Sequence, residues 1–320
     1  MVTGTGPLDA VADALGRRAV RHAPLGARTT YRVGGTAGVL VEVNDEDDLG
    51  AVHVALGAAA PVDVLVLGNG SNLLVADAGF DGLVIVPGAG LAGVDITGTT
   101  VRAGGAAAFP LVARRSATAG LVGLEWAVGV PGTVGGALKM NAGGHGSDTA
   151  AVLARQRVFD VRSGRAAEAG PERLALGYRR SSLGAGEVVV WAEFALERGS
   201  RSEAEAAVAE IVRWRRAHQP GGSNAGSVFT NPDGDAAGRL VEAAGLRGQR
   251  LGTARVSEKH ANFIQADDGG SADDVRRLIG EVRRVVLEQT GVALDVEVRM
   301  VGFDDEVEGK PSTSCGGSRQ

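Results

Sequence analysis

The run Gly129-Val-Pro-Gly-Thr-Val-Gly-Gly-Ala-Leu-Lys-Met-Asn-Ala-Gly143 constrains this chain more than any other stretch. Six of its fifteen residues are glycine or proline, yet apolar sequence at 124–130 leads into it. Such a run is a poor helix interior and a poor strand. It suits backbone that turns tightly and lies flat against something bulky. Gly132, Gly135 and Gly136 permit close approach, and bare N–H groups there can bind phosphate or carbonyl oxygens. A second run, Leu67-Gly-Asn-Gly-Ser-Asn-Leu-Leu74, has the same character about sixty residues earlier. Two such loops imply one long polar ligand, such as a dinucleotide, gripped at two places.

Composition narrows the class. A chain of 320 residues predicts two or three compact domains. The apolar share of 44% supports sizeable cores, and no stretch approaches a membrane span. Residues 1–9 lack the basic and apolar regions of a signal peptide, so a cytoplasmic enzyme is expected. The single cysteine, Cys315, excludes a disulfide framework and a cysteine-based metal site. His145, His218 and His260 show no metal-ligand spacing, so no metal is expected. A net charge of −5 without a basic block argues against nucleic acid as a partner.

Periodicity predicts an α/β order. A strand at 37–43 precedes a helix capped by Asn44, with Asp47 at its third position, running to about 59. A buried-type strand at 62–67 delivers the first glycine loop. Short strands follow at 83–86 and 100–103, then a helix at 107–119. After the second loop, 155–161 and 188–196 read as strands. Composition shifts near 199–202. A helix at 203–217 carries Ala204, Val208, Ile211 and Val212 on one face. A late helix opens with the capping box Ser271-Ala-Asp-Asp274, and Gly291 ends it. Residues 294–301 alternate: Leu294, Val296, Val298 and Met300 face one way, Asp295, Glu297 and Arg299 the other. The stretch 304–320 is polar and rich in Gly and Ser, which predicts disorder.

Each motif has a plain alternative. Gly68-Asn-Gly-Ser-Asn72 lacks the third glycine of a Rossmann fingerprint and opens no obvious helix, so alone it could be a tight turn. Ser227 sits in Gly226-Ser-Val-Phe-Thr-Asn-Pro232 without a Gly-x-Ser-x-Gly elbow, and a lone serine there is ordinarily a turn residue. Arg179, beside Arg180, could be a surface arginine, and Glu297 on a polar strand face is ordinarily solvated. The residues alone give an α/β dinucleotide-binding chain with unassigned polar groups.

Together the motifs resemble a family. Tyr31-Arg-Val-Gly-Gly35, Leu67-Gly-Asn-Gly-Ser-Asn72, Gly129-Val-Pro-Gly-Thr-Val-Gly-Gly136, Met140-Asn-Ala-Gly143, Gly177-Tyr-Arg179, Gly226-Ser-Val-Phe229, Lys259-His-Ala-Asn-Phe263 and Glu297-Val-Arg299 occur in order over residues 22–303. This set resembles the UDP-N-acetylenolpyruvoylglucosamine reductases. The resemblance implies an FAD-binding fold of the vanillyl-alcohol-oxidase (PCMH) type in two α/β subdomains, 1–92 and 93–199. An α+β substrate domain would follow at 200–303. It implies non-covalent FAD and NADPH as cofactors, a UDP-sugar substrate and a monomer. Only 48 positions separate Arg179 from Ser227, which matches the subclass lacking a substrate-covering loop.

The same resemblance assigns residues. Arg179, Ser227 and Glu297 would be catalytic. Gly68, Asn69, Gly70, Ser71 and Asn72 would hold the FAD pyrophosphate with Gly129, Val130, Pro131, Gly132, Thr133, Gly135 and Gly136. Tyr31, Asn141 and Ala142 would lie along the cofactor. Tyr178, His218, Asn231, Lys259 and Asn262 would bind substrate. Two positions depart from the family pattern. Thr230 replaces a longer polar side chain, and His218 stands where lysine is common. Two rivals stay open: a related flavoenzyme of secondary metabolism, and a non-catalytic FAD- or nucleotide-binding regulator.

Overall fold

A computed structural model describes residues 6–303. The stretch expected to be disordered, 304–320 with Cys315, lies outside them. Three β layers carry the described chain. The first has the strand order Ala19–Pro24, Thr36–Val43, Phe80–Pro87, Val64–Val66. Its last three strands run parallel, and the first pairs antiparallel at the edge. Val39, Val41, Val43, Leu83 and Ile85 form its core with Leu49 and Val52 of the crossover helix Glu46–Gly57. That helix is capped by Asp45, not by Asn44 as expected; the Asp45 carboxylate accepts the Asp48 amide at 2.8 Å. Asp48 in turn accepts the Asn44 amide at 2.9 Å. The cap lies one residue later than expected, and the Asp48 carboxylate reaches the amide that precedes it.

The second sheet is antiparallel throughout, in the order Arg165–Ala169, Leu153–Asp160, Glu187–Ala195, Thr100–Gly104, Val94–Thr97. Helix Phe109–Thr118 packs over it. The Phe109 ring lies 5.6 Å from Trp126, edge-on, and 5.6 Å from Phe194. Helix Arg201–His218 belongs to the same core, because its stripe Ala204, Val208 and Ile211 packs there. The expected boundary at 199/200 cuts through this packing. The stripe was visible in the sequence; the surface it covers was not.

The third sheet joins Arg250–Leu251, Ala254–Val256 and Ile264–Ala266 under helix Ala272–Thr290. The helix buries Val275, Leu278, Ile279, Val282 and Val286, each worth about 1.5–3 kcal/mol relative to exposure. Ser271 caps it, accepting the Asp274 amide at 3.2 Å. The expected capping box is incomplete, since the Asp274 carboxylate binds the Thr253 amide (2.8 Å) and hydroxyl (3.0 Å). Asp77, from the first layer, completes the cap. It accepts from Ala272 N (2.9 Å), Asp273 N (3.2 Å) and Ser271 Oγ (2.5 Å). Burial alone would raise the Asp77 carboxyl, but these three donors hold it below the usual carboxylate range.

Residues 294–301 keep their alternation but change partner midway. Val296 bridges Phe229, while Arg299–Val301 pairs in parallel with Leu73–Val75 of the first layer. Glu297 therefore sits where the first and third layers meet.

Candidate active site

The first glycine loop leaves the strand Val64–Val66 and turns through Gly70 at φ +57. Only glycine fits there, because a Cβ would lie 2.7 Å from Thr29 Cα and 2.9 Å from Arg28 O. Among the described residues, the amides of Gly68, Asn69, Gly70 and Ser71 donate to no protein acceptor. Consecutive free amides around a left-handed residue form an anion-binding concavity. The loop borders a cavity of about 630 Å³ lined also by Arg28, Thr30, Arg32, Pro131 and Thr133. Its size and free donors fit a nucleotide cofactor's pyrophosphate. Among the described residues no group of three His, Cys, Asp or Glu side chains could hold a metal.

The second loop meets the first. Asn69 Nδ2 donates to Pro131 O at 3.2 Å, and a Cβ on Gly132 would lie 3.2 Å from Ser71 Oγ. Its amides differ from those expected. Gly135 N binds Gly105 O at 2.8 Å, and Gly136 N binds the Thr133 cap at 3.3 Å. Neither is bare, because the short helix Val134–Met140 starts here and draws both inward. Gly132 and Thr133 keep free amides among the described residues.

Of three further cofactor candidates, Asn141 and Ala142 bond protein groups and Tyr31 lies in the core. Tyr31 is fully buried with Val33, Leu74 and Phe229, and its hydroxyl has no partner. Burial pushes its phenol well above the ordinary tyrosine range. Its neighbours Thr30 and Arg32 line the cavity; Tyr31 does not. Asn141 is buried and bonds Asp148 Oδ2 (3.0 Å), Gly177 O (3.1 Å) and the Ala150 amide (2.9 Å). It ties down the turn that carries Arg179. The Ala142 amide is bound by Ala137 O at 2.8 Å.

The structure brings Arg179 and Glu297 together. Arg179 occupies the tight turn closed by Gly177 and Arg180, with φ +53, a strained backbone for a non-glycine residue. Its Nε lies 2.9 Å from Glu297 Oε1, and the pair is only 25% and 14% exposed. The contact is an ion pair at hydrogen-bonding distance, and Nε itself is buried. A second guanidinium nitrogen donates to Gly143 O at 3.1 Å. Burial raises the Glu297 carboxyl above its ordinary range, and the nearby Arg179 charge opposes this only in part.

Ser227 follows Gly226, at φ +79, and leads into Val228 and Phe229. The Val228 carbonyl accepts the Glu297 amide at 2.8 Å, so one backbone bond separates Ser227's neighbour from Glu297. The Ser227 side chain is part-buried, and its hydroxyl has no partner among the described residues.

The substrate candidates divide. Asn262 is buried and clamps Phe229, accepting its amide at 2.9 Å and donating to its carbonyl at 2.8 Å. Asn231 accepts the Ala237 amide at 3.1 Å, starting helix Ala237–Ala243. Both hold backbone through these bonds. Lys259 Nζ donates to Arg216 O at 2.5 Å near the end of helix Arg201–His218. Tyr178 is exposed, with the Arg179 guanidinium 5.1 Å from its ring. His218 stacks on Trp214 at 4.7 Å.

A cavity of about 420 Å³ joins Arg179, Gly129 and Val130 to Trp214, Arg215 and Gln219. Arg215 was missed in the sequence. Its guanidinium is desolvated, which lowers its pKa, and no acid pairs with it among the described residues. The signal was its place one turn after Ile211, a cation on an apolar stripe. Gln219 Oε1 is also buried without a donor.

Residues 37–170 match the FAD binding domain family, and residues 218–301 match the UDP-N-acetylenolpyruvoylglucosamine reductase C-terminal domain. With the glycine cradle, these define an FAD-dependent oxidoreductase with a separate C-terminal module. UDP-N-acetylenolpyruvoylglucosamine reductase 2 of Symbiobacterium thermophilum is 43% identical over 286 residues, 89% of this chain and 92% of that protein. The Rubrobacter xylanophilus reductase is 43% identical over 281 residues, 87% and 94%. The chain belongs to the UDP-N-acetylenolpyruvoylglucosamine reductase family. The crystal structure of UDP-N-acetylenolpyruvylglucosamine reductase from Thermus caldophilus matches with TM-score 0.77 and 36% identity, covering 88% of this chain and 98% of that one. Physcomitrella patens BBE-like 1 shares the fold at TM-score 0.52 and 13% identity, covering 88% and 90%.

Proposed function

We propose that this chain reduces UDP-N-acetylenolpyruvoylglucosamine to UDP-N-acetylmuramate with NADPH, a step in peptidoglycan precursor synthesis. The observation that carries this reading is the Arg179 guanidinium, which lines the 420 Å³ cavity and lies 2.9 Å from the buried Glu297 carboxyl. A guanidinium held at a cavity wall suits a substrate carboxylate. The amides of Gly68, Asn69, Gly70 and Ser71 would hold FAD, which when bound would supply the hydride chemistry between NADPH and the enolpyruvyl double bond.

The chain's own groups handle the charge that results. Hydride addition leaves negative charge beside the carboxylate, delocalised as an enolate. Arg179 holds the carboxylate. Glu297, kept toward its acid form by burial, donates a hydrogen bond to the developing charge. Ser227 gives its proton to the carbon, completing addition of hydride and proton across the double bond. Because Glu297 acts as the acid form, this step slows as pH rises through its raised pKa.

On this reading 6–92 and 93–218 hold the cofactor and 219–303 the sugar nucleotide. Tyr178, His218 and Lys259 remain the substrate-facing candidates. No helix among the described residues is long and apolar enough to cross a membrane. The enzyme then works as a monomer in the cytoplasm, where NADPH and nucleotide sugars are available.

The test separates the half-reactions by stopped-flow absorbance. In Ser227→Ala, bleaching of the flavin by NADPH is expected to be unchanged. Reoxidation by the enolpyruvyl UDP-sugar is expected to slow roughly 10²-fold, the scale for removing a positioned acid. Fast reoxidation in the variant removes Ser227 from the mechanism. Failure of the parent protein to be reoxidised rejects the substrate.

A further inference from the structure

Asn72 ends the first glycine loop and leads into strand Leu73–Val75. That strand pairs in parallel with Arg299–Val301, in the register Leu73 to Arg299. The ladder opens with Arg299 N donating to Asn72 O at 3.1 Å. One rung earlier, regular parallel geometry would join the Asn72 main-chain amide to the Glu297 carbonyl. The side chain makes that rung instead: Asn72 Nδ2 donates to Glu297 O at 3.1 Å. The main-chain amide of Asn72 has no acceptor among the described residues. It continues the free amides of Gly68, Asn69, Gly70 and Ser71.

The exchange has two consequences. Glu297 is gripped from both sides, its carbonyl by Asn72 and its amide by Val228 O at 2.8 Å. The loop also keeps a fifth donor that a regular ladder would remove. One side chain therefore links the anion-binding loop to the acid that faces Arg179, across 225 positions of sequence.

We infer that Asn72 is a positioning residue, whose side-chain amide sets the register of Glu297 against the first glycine loop and leaves its own main-chain amide to that loop. Asn72 was expected to hold the cofactor with the rest of its loop; its side chain donates to Glu297 O. The inference rests on the proposed reduction only for the chemical role of Glu297.

A double-mutant cycle tests it, using the FAD-loaded full chain. In Asn72→Ala, reoxidation by the enolpyruvyl UDP-sugar is expected to slow about tenfold or more, while reduction by NADPH stays within about threefold. On a Glu297→Ala background, the same change is expected to add less than about threefold, because both act through one group. Additive losses would overturn the inference, since a merely structural residue adds its cost on either background. So would normal reoxidation, or a defect confined to FAD affinity. Asn72→Asp keeps the shape but turns the donor into an acceptor, and it is expected to reproduce the alanine result if that variant folds poorly. Hydrogen exchange over 296–301 needs no turnover: faster exchange in Asn72→Ala with FAD bound supports the positioning role, and unchanged exchange rejects it. If the parent protein is not reoxidised, the proposed substrate fails, and hydrogen exchange still decides the role of Asn72.

Discussion

In the loop at 68–72, the amides of Gly68, Asn69, Gly70 and Ser71 have no protein acceptor among the described residues, whereas in the loop at 129–136 those of Val130, Val134, Gly135 and Gly136 are bound and those of Gly132 and Thr133 are free. The sequences look alike because both need residues without a Cβ. The reasons differ. At Gly70 the need is a left-handed turn pressed against Thr29, which fans amides outward. At Gly135 the need is close packing of a helix on a strand, where a Cβ would lie 3.1 Å from Gly105 O. Glycine density marks close approach; it does not say whether ligand or protein is approached.

The largest expected effect falls on the first loop. Gly70→Val places a β-branched residue at φ +57 and drives its Cβ to 2.7 Å from Thr29 Cα. Strain of this kind costs about 1–3 kcal/mol, and the loop relieves it by leaving the geometry that presents its amides. The FAD dissociation constant is expected to rise about 10²-fold, close to 2.7 kcal/mol. FAD titration of parent and variant at equal folded content checks it. A change below tenfold would break the distinction between the loops.

Gly135→Val addresses the second loop and is expected to act on stability. The new side chain crowds Gly105 O and, at 3.6 Å, Val189 Cβ. Overpacking of this kind costs about 1–3 kcal/mol. Thermal unfolding should fall by several degrees, while FAD affinity changes less than in Gly70→Val. Lost affinity at an unchanged Tm would show that this loop, too, is a ligand surface.

Local pattern carried most of the fold, and contact between distant segments carried most of what was hidden. The stripe of Ala272–Thr290 and the alternation of 294–301 were legible because each repeats at the period of its element. The Asp45 cap was missed by one residue because Asn44, Asp45 and Asp47 all suit an N-terminus. Asp77, which completes the cap of Ala272–Thr290, lies 194 positions before Ser271, and no local rule reaches that far. In the site, Arg179 and Glu297 were named separately; their 2.9 Å approach depends on a turn held by Asn141. Tyr31, Asn141 and Asn262 share a setting the sequence did not show: each polar side chain near a motif lies in the core or on backbone.

The smallest expected effect concerns the seam between the loops. Asn69 Nδ2 donates to Pro131 O at 3.2 Å, and the pair is exposed. An exposed neutral hydrogen bond contributes about 0.5 kcal/mol, the low end for such bonds, because water replaces it readily. Asn69→Ala leaves the main-chain amide of residue 69 in place, so the cradle keeps its donors. What it removes is the tie that makes both loops move as one clamp. Stability should therefore change little, and the FAD dissociation constant should rise about threefold or less. The measurement is the same titration, run beside thermal unfolding. A rise above tenfold would mean that the second loop governs the first through this bond, which would overturn the division between cradle and scaffold. No change would sharpen the division, because the scaffold loop then supports the cradle by packing alone, through Thr133 against Gly68 and Ser71 against Gly132.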